Sequence, residues 1–297
     1  MEIKPPVQSG DRVLVIANPA THRPVGAIFD LLKATVPDGV ELELQVTRSA
    51  GEAREIARRR VVGAAMVVVI GGDGTVADVA GQVGDVPIGI VPAGSTNITG
   101  RELGVPGDIR QAVELLWKPH RVHRVDAGLV GDRVFLHMAG AGFDSTFFAN
   151  TDRALKRRVG WVAYLPAAMR ALAEKPVRYQ IETEKETFDV MSPLVLVANG
   201  ASIIDPHLRL HREIRSDDGW LDLMVITATK PVEFARTLGS IATLRLDRSR
   251  YLIHRRVKQV KFSSDRPMPV QLDGDVVEQT PVAFGIQPQA IGIIAPR

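Results

Sequence analysis

The chain has no cysteine among its 297 residues. That absence removes disulfide frameworks, thiol nucleophiles and cysteine-ligated zinc sites together, and it agrees with a reducing compartment. Long apolar runs are missing as well. The longest, Val61 to Ile70, stops at Gly71-Gly72-Asp73-Gly74, short of the ~20 residues that a bilayer-spanning helix needs. The opening MEIKPPVQSG carries no apolar core of a secretory signal, so a soluble, cytoplasmic protein is expected. A strong excess of one charge is also lacking: 37 basic residues against 34 acidic leave a net charge of +3. That balance is too mild for a nucleic-acid binder, whose basic surface is concentrated, and no nucleic-acid partner is expected. What is there is an ordinary globular composition, 45% hydrophobic and 24% charged, at a length suited to about two domains.

The first third of the chain alternates strand and helix signals. Arg12 to Ala17 is a short apolar run stopped by Asn18-Pro19, helical spacing follows from Val25 to Thr35, and residues 41–47 alternate as a strand. Residues 50–61 read as a helix with a basic outer face. MVVVI at 66–70 and PIGIVP at 87–92 are apolar throughout, and 108–117 reads as a helix. Strands apolar on both faces, alternating with helices, predict a parallel sheet covered on both sides. Beyond about Arg124 the pattern changes to strand-like segments within 125–143 and 176–198, then at 220–227, 257–262 and 268–272, with one helix at 152–174 that Pro166 divides. A sandwich-like, β-rich second domain is expected over 125–285. The final strand pattern, 290–296, suits either domain, and the first domain is taken as 1–124 plus 286–297.

Basic residues cluster locally at Arg58-Arg59-Arg60, at Lys156-Arg157-Arg158 and from Arg245 to Lys261. Any one such cluster is by default a solvated face; together they also suit phosphates or lipid headgroups. Trp161, Val162, Tyr164, Leu165, Met169 and Leu172, flanked by basic residues, fit an interfacial helix and a core helix equally. The seven histidines show no metal-ligand spacing, and the i, i+4 pair His207 and His211 reads as surface.

Two loops carry the chemistry. In the first, a strand ends in Gly71-Gly72-Asp73-Gly74-Thr75 and feeds directly into a helix. Glycines let backbone approach a ligand, and the helix presents N–H groups with partial positive charge, which makes a phosphate cradle. Asp73 would repel phosphate unless Mg2+ or water bridges the two. In the second, the strand at 87–91 ends in Pro92-Ala93-Gly94-Ser95-Thr96-Asn97, whose hydroxyls and amide suit phosphate or ribose oxygens. Two such loops at neighbouring strand ends are where open α/β sheets bind ligands.

With these loops the chain resembles the diacylglycerol kinase catalytic family, which includes sphingosine, ceramide and bacterial lipid kinases. The resemblance runs through Asn18-Pro19, Thr47 with Gly51-Glu52-Ala53, the two loops, Arg101 to Gly104 and Val125 to Gly128. It continues at Gly140 to Asp144, Asn199-Gly200, Asp217 to Asp222 and Asp273-Gly274-Asp275. It implies an ATP-dependent enzyme that phosphorylates a lipid hydroxyl, diacylglycerol or a related lipid, in the cleft of a two-domain fold. Mg2+ is the implied metal, and peripheral contact with the inner face of the membrane is implied with the lipid. Carried over for nucleotide are Asn18, Pro19, Thr47, Gly71, Gly72, Asp73, Gly74, Thr75, Gly94, Ser95, Thr96 and Asn97. A further metal site maps onto the Arg215 and Trp220 carbonyls with the Asp218 carboxylate. The general base falls on Asp273 or Asp275, and Asp73 organises catalytic Mg2+ with Asp126 linked through water. Read without the family, Asp273-Gly274 is a hairpin turn.

The chain departs from the family pattern in its first loop, Asn18-Pro19-Ala20-Thr21-His22-Arg23-Pro24, which lacks a Ser-Gly pair, and at Asp275, where glutamate is common. An NAD kinase-like enzyme shares the GGDGT loop but should carry an Asn-Glu dipeptide, which this chain lacks. A non-catalytic nucleotide- or lipid-binding module is the remaining alternative; the altered first loop favours it and the retained carboxylates oppose it.

Overall fold

The computed structural model describes residues 2–4, 7–21, 23–142, 176–202, 209–242 and 249–297. The helix expected over 152–174, the cluster Lys156-Arg157-Arg158, His22, Asp144, His207 and the basic residues Arg245 and Arg248 lie outside the described residues. The chain divides into two compact units, Met1–Ala127 with Pro288–Arg297, and Gly128–Gln287.

In the first unit, β1 (Glu2–Lys4) precedes β2 (Arg12–Ala17), α1 (Val25–Thr35), β3 (Glu41–Val46), α2 (Glu52–Arg60), β4 (Met66–Gly71), α3 (Asp73–Ala80), β5 (Ile88–Pro92), α4 (Ile98–Glu102), α5 (Ile109–Trp117) and β6 (His120–Val130). The strands β5, β4, β2 and β3 lie side by side and parallel, with Val15 opposite both Val68 and Leu44. Every residue of β4 and β5 is buried, which is why both read as apolar on each face. Ile28 and Leu32 of α1, with Val113 and Leu116 of α5, pack on Val13, Val15 and Val68. α2 lies against β2 and α3 against β4. Asp108 starts α5 by accepting the Gln111 N–H at 3.0 Å.

The second unit holds β7 (Arg133–Phe135), β8 (Met138–Gly142), β9 (Val177–Thr183), β10 (Thr187–Ser192), β11 (Leu194–Ala198), β12 (Leu221–Ile226), α6 (Pro231–Ala242), β13 (Leu252–Val257), β14 (Gln259–Ser264), β15 (Pro269–Leu272), β16 (Asp275–Gln279) and the first part of β17 (Val282–Ala295). Two antiparallel sheets form, β10–β9–β14–β17 and β13–β12–β11–β8–β15–β16. Tyr179, Ile181, Phe262 and Phe284 from one sheet meet Val195, Val197, Leu223 and Val270 from the other in one core. This is a β-sandwich-like domain. The outer face of the larger sheet is buried too: Leu194, Leu196, Met224 and Ile226 pack with Leu210 and Ile214.

Three expectations need correction. The strand expected over 257–262 is β14, and β13 ahead of it had not been expected; at the break between them the Glu184 carboxylate accepts the Lys258 and Gln259 N–H groups, each at 2.6 Å. The helix α6 had not been expected; Glu233 accepts the Thr229 and Lys230 N–H groups ahead of it, each at 3.2 Å. The last strand is longer than 290–296, pairing at Val282 to Gly285 with β14 and at Ile293 with Ile88 of β5.

Candidate active site

The loops after β2, β3, β4 and β5 all leave at the carboxyl ends of parallel strands, and backbone hydrogen bonds bind them together. Asn18 N–H donates to Ile70 O at 2.9 Å and Thr47 N–H to Ala17 O at 2.9 Å. Ala93 and Gly94 N–H groups both reach Gly71 O, at 3.0 and 3.3 Å. The Asn18 amide donates to Thr75 Oγ1 at 3.2 Å and its Oδ1 accepts the Ala20 N–H at 2.9 Å, so the first loop is tied to the third. Pro19 and Ser95 are exposed, whereas Thr47 is buried.

Glycine is required where the two phosphate-type loops touch. A Cβ on Gly94 would stand 2.5 Å from Gly72 Cα, and one on Gly72 would stand 3.2 Å from Gly94 Cα. Asn97, in the left-handed conformation at φ 50°, closes the second loop by accepting the Gly94 N–H at 3.0 Å and donating to Gly94 O at 2.8 Å. Helix α3 opens at Gly72, and its first intrahelical bond runs from Val76 N–H to Gly72 O. The N–H groups of Asp73, Gly74 and Thr75 therefore face outward from the helix start, where they favour an anion. Asp73 has a structural task in the same place: its Oδ1 accepts the Thr99 N–H of α4 at 3.0 Å. The apparent conflict of a carboxylate in a phosphate cradle is relieved in part by that bond. Asp126, fully buried on β6, accepts the Gln289 N–H at 2.7 Å.

In the second unit, Asp273 and Gly274 form the turn of the β15–β16 hairpin, with φ of 48° and 99°. Asp273 Oδ1 accepts the N–H groups of His137 and Met138, both at 2.9 Å, and Oδ2 accepts that of Leu136 at 2.8 Å. Burial pushes the Asp273 carboxyl up from the ordinary range, against the pull of those N–H donors and of His137. The strip 136–138 is itself braced by Asn199, which donates its amide to Leu136 O at 2.8 Å and its N–H to His137 O at 2.8 Å. Asp275, two residues on, is exposed at the start of β16, opposite Leu272, and its side chain enters no hydrogen bond or ion pair among the described residues.

The third predicted group surrounds Gly219, at φ 75°. Asp218 Oδ1 accepts the Trp220 N–H at 3.1 Å, while its Oδ2 pairs with Arg256. Arg215 turns its side chain to Asp217 at 3.0 Å. Arg256 and Lys258 stand over the Trp220 ring at 5.4 and 5.1 Å. A carboxylate together with backbone carbonyls is the all-oxygen donor set that suits Mg2+, so the predicted ligands fit such an ion in kind, with the Arg256 guanidinium as its competitor for Asp218.

Residues 12–130 match the diacylglycerol kinase catalytic domain, and residues 137–295 match the YegS C-terminal NAD kinase β-sandwich-like domain. The chain belongs to the diacylglycerol kinase family. A diacylglycerol kinase of Staphylococcus carnosus is 29% identical over 96% of this chain and 95% of its own length. A YegS-like lipid kinase of Pseudomonas fluorescens is 30% identical over 87% of each chain. A Bacillus anthracis structure described as a diacylglycerol kinase shares the fold at TM-score 0.70 and 19% identity, covering 96% of this chain and 97% of that one. As a member of this lipid kinase family, the chain places its catalytic-domain loops in the first unit and its Asp-Gly-Asp hairpin in the second.

Several residues of this lipid kinase escaped the sequence. Thr99 acts through its own backbone N–H, which no motif announces, and Arg256 lies 38 residues from the Asp218 it pairs with. His211, expected at the surface, is buried and packs on His254 at a centroid distance of 4.3 Å. The reason is that the segment before β12 folds over the outer face of the larger sheet, where Leu210 and Ile214 bury.

Proposed function

We propose that this chain transfers the γ-phosphoryl group of ATP to the hydroxyl of a membrane lipid, diacylglycerol or a related lipid. The observation that supports it best is the fused pair of glycine loops at the head of α3, whose outward N–H groups suit a polyphosphate. When bound, Mg2+ offsets charge on the phosphates. Phosphoryl transfer asks the protein mainly for alignment and charge stabilisation. The N–H groups of Asp73, Gly74 and Thr75 bind phosphate oxygens, Ser95 and Thr96 add hydroxyl donors, and Asn18 and Thr47 hold the neighbouring loops in place.

Of the two hairpin carboxylates, Asp275 is the better base. Both Asp273 oxygens are occupied by backbone N–H groups, whereas the exposed Asp275 carboxylate keeps its lone pairs for a substrate proton. Asp275 takes the hydroxyl proton as the lipid oxygen bonds to the γ-phosphorus and the bond to the ADP oxygen breaks. Asp273 positions Asp275 by fixing the hairpin turn on the 136–138 strip. Asp73 and Asp126 are assigned to the metal side of the reaction, Asp126 through water. Because the acceptor is a lipid, the reaction runs at a membrane surface and the protein works there peripherally.

The test is transfer of label from γ-labelled ATP with Mg2+ to mixed-lipid vesicles, each containing one candidate acceptor, with products read by mass. A labelled lipid is expected. Transfer to no lipid would favour a binding module instead.

A further inference from the structure

Away from the phosphate loops and the Asp-Gly hairpin, the second unit brings together two histidines and a glutamate that no motif connects. His211 and Glu213 precede β12, and His254 lies on β13. Each offers one ligand atom, and these atoms all lie within 4.8 Å of one another. We propose that His211, Glu213 and His254 form a binding site for a divalent transition metal of the zinc class.

The ligand chemistry selects the ion. Two imidazoles and one carboxylate suit Zn2+ and its neighbours, whereas Mg2+ prefers oxygen donors. Tetrahedral bonds of about 2.0–2.2 Å place ligand atoms roughly 3.4 Å apart, so the cluster must close slightly. Glu213 is the exposed member and the one able to swing inward; His211 is buried and His254 half-buried. A cavity of about 260 Å³ adjoins them, lined by Glu213, His254, Arg255 and Arg256 among others. It leaves room for water in a fourth position. The two arginines do not oppose a cation with uncompensated charge, since Arg255 pairs with Glu186 at 2.7 Å and Arg256 with Asp218.

A second observation points the same way. Asp222 on β12 projects to the same face as Met224 and Ile226, into an apolar layer, and is fully buried. Its Oδ1 lies 2.6 Å from His254 Nε2, and its Oδ2 makes no hydrogen bond among the described residues. A buried carboxylate with a single partner is costly unless positive charge stands nearby. With Nε2–H committed to Asp222, the Nδ1 lone pair of His254 is left for a metal, the carboxylate–histidine–metal relay that orients a ligand and raises its basicity. The site is separate from the oxygen-rich turn at Asp218 and stands whether or not the chain phosphorylates a lipid.

The experiment uses the full chain after chelator treatment, titrated with Zn2+ by calorimetry and with Co2+ by visible absorption. One Zn2+ per chain is expected, with Co2+ giving the intense bands of a four-coordinate nitrogen and oxygen site. Glu213→Gln and His254→Asn should each weaken Zn2+ at least tenfold, and Asp222→Asn by ~10–100-fold as a ligand-orienting partner. Thermal unfolding without metal verifies that each variant folds, and Glu213→Gln, altering an exposed side chain, keeps the test open if the buried substitutions do not. Failure to bind Zn2+ stoichiometrically, or wild-type affinity in both Glu213→Gln and His254→Asn, would overturn the proposal.

Discussion

Met138 and Asp273 hold each other twice. The Met138 N–H donates to Asp273 Oδ1 at 2.9 Å, and the Asp273 N–H donates back to Met138 O at 2.8 Å. The pair fixes where the hairpin turn sits, and so where Asp275 starts its strand.

That geometry separates the two carboxylates by experiment. Asp273→Asn sets an amide N–H2 against a backbone N–H that loses its acceptor, which should cost about 1–3 kcal/mol in denaturant unfolding. Asp275→Asn changes an exposed side chain and should leave stability within ~0.5 kcal/mol. Its turnover should nonetheless fall by roughly 10²–10⁴, the usual contribution of a general base, with little change in KM for ATP. The opposite pattern, a stable and inactive Asp273→Asn beside an active Asp275→Asn, would exchange the two roles.

Contact between the glycine loops predicts a sharp asymmetry among glycines. Gly94→Ala drives a methyl to 2.5 Å from Gly72 Cα, backbone against backbone, and should destabilise by ~1–3 kcal/mol while abolishing thermal protection by ATP. Gly26→Ala, in α1 with nothing within 4 Å of the added Cβ, should instead stabilise by roughly 0.5–1 kcal/mol. Melting curves with and without nucleotide read both.

Pairing of Asp218 with Arg256 predicts competition between guanidinium and metal. Arg256→Gln should increase the rise in melting temperature that Mg2+ confers several-fold, and Asp218→Asn should remove it. An equal Mg2+ effect in wild type and Arg256→Gln would mean that the ion binds elsewhere.

His120 supplies a pH signature. It is buried at the start of β6, and burial holds its pKa below the ordinary value of 6.5, against hydrogen bonds to Lys118 and Leu115 carbonyls. In the window between the lowered and ordinary values the unfolded chain binds more protons, so stability is fully present above about pH 6.5 and is lost as pH falls toward the folded value. His120→Gln should flatten unfolding free energy against pH there, and an unchanged slope would assign the acid loss to other groups.

Much of the first unit was legible because its signals are local. β4 is buried on both faces, so its apolar run is continuous, and the glycine loop abuts it in sequence. The Asp-Gly hairpin was equally visible as a turn. What stayed hidden depends on partners far along the chain. Asp273 binds residues more than 130 positions earlier, and Glu184 divides β13 from β14 across 74 residues. The bond from the Thr99 N–H to Asp73 stayed hidden because every residue type but proline offers that donor, so it leaves no trace in composition. His254 and His211 meet only because β13 pairs with β12 beneath the segment that carries His211.

The most direct measurement is label transfer from γ-labelled ATP to diacylglycerol-containing vesicles, comparing wild type with Asp275→Asn at equal folded concentration. The expected result is a phosphorylated lipid of matching mass from wild type, and at least a hundredfold less from the variant. Unlabelled lipid across the acceptor panel, or equal transfer by both proteins, would contradict the account.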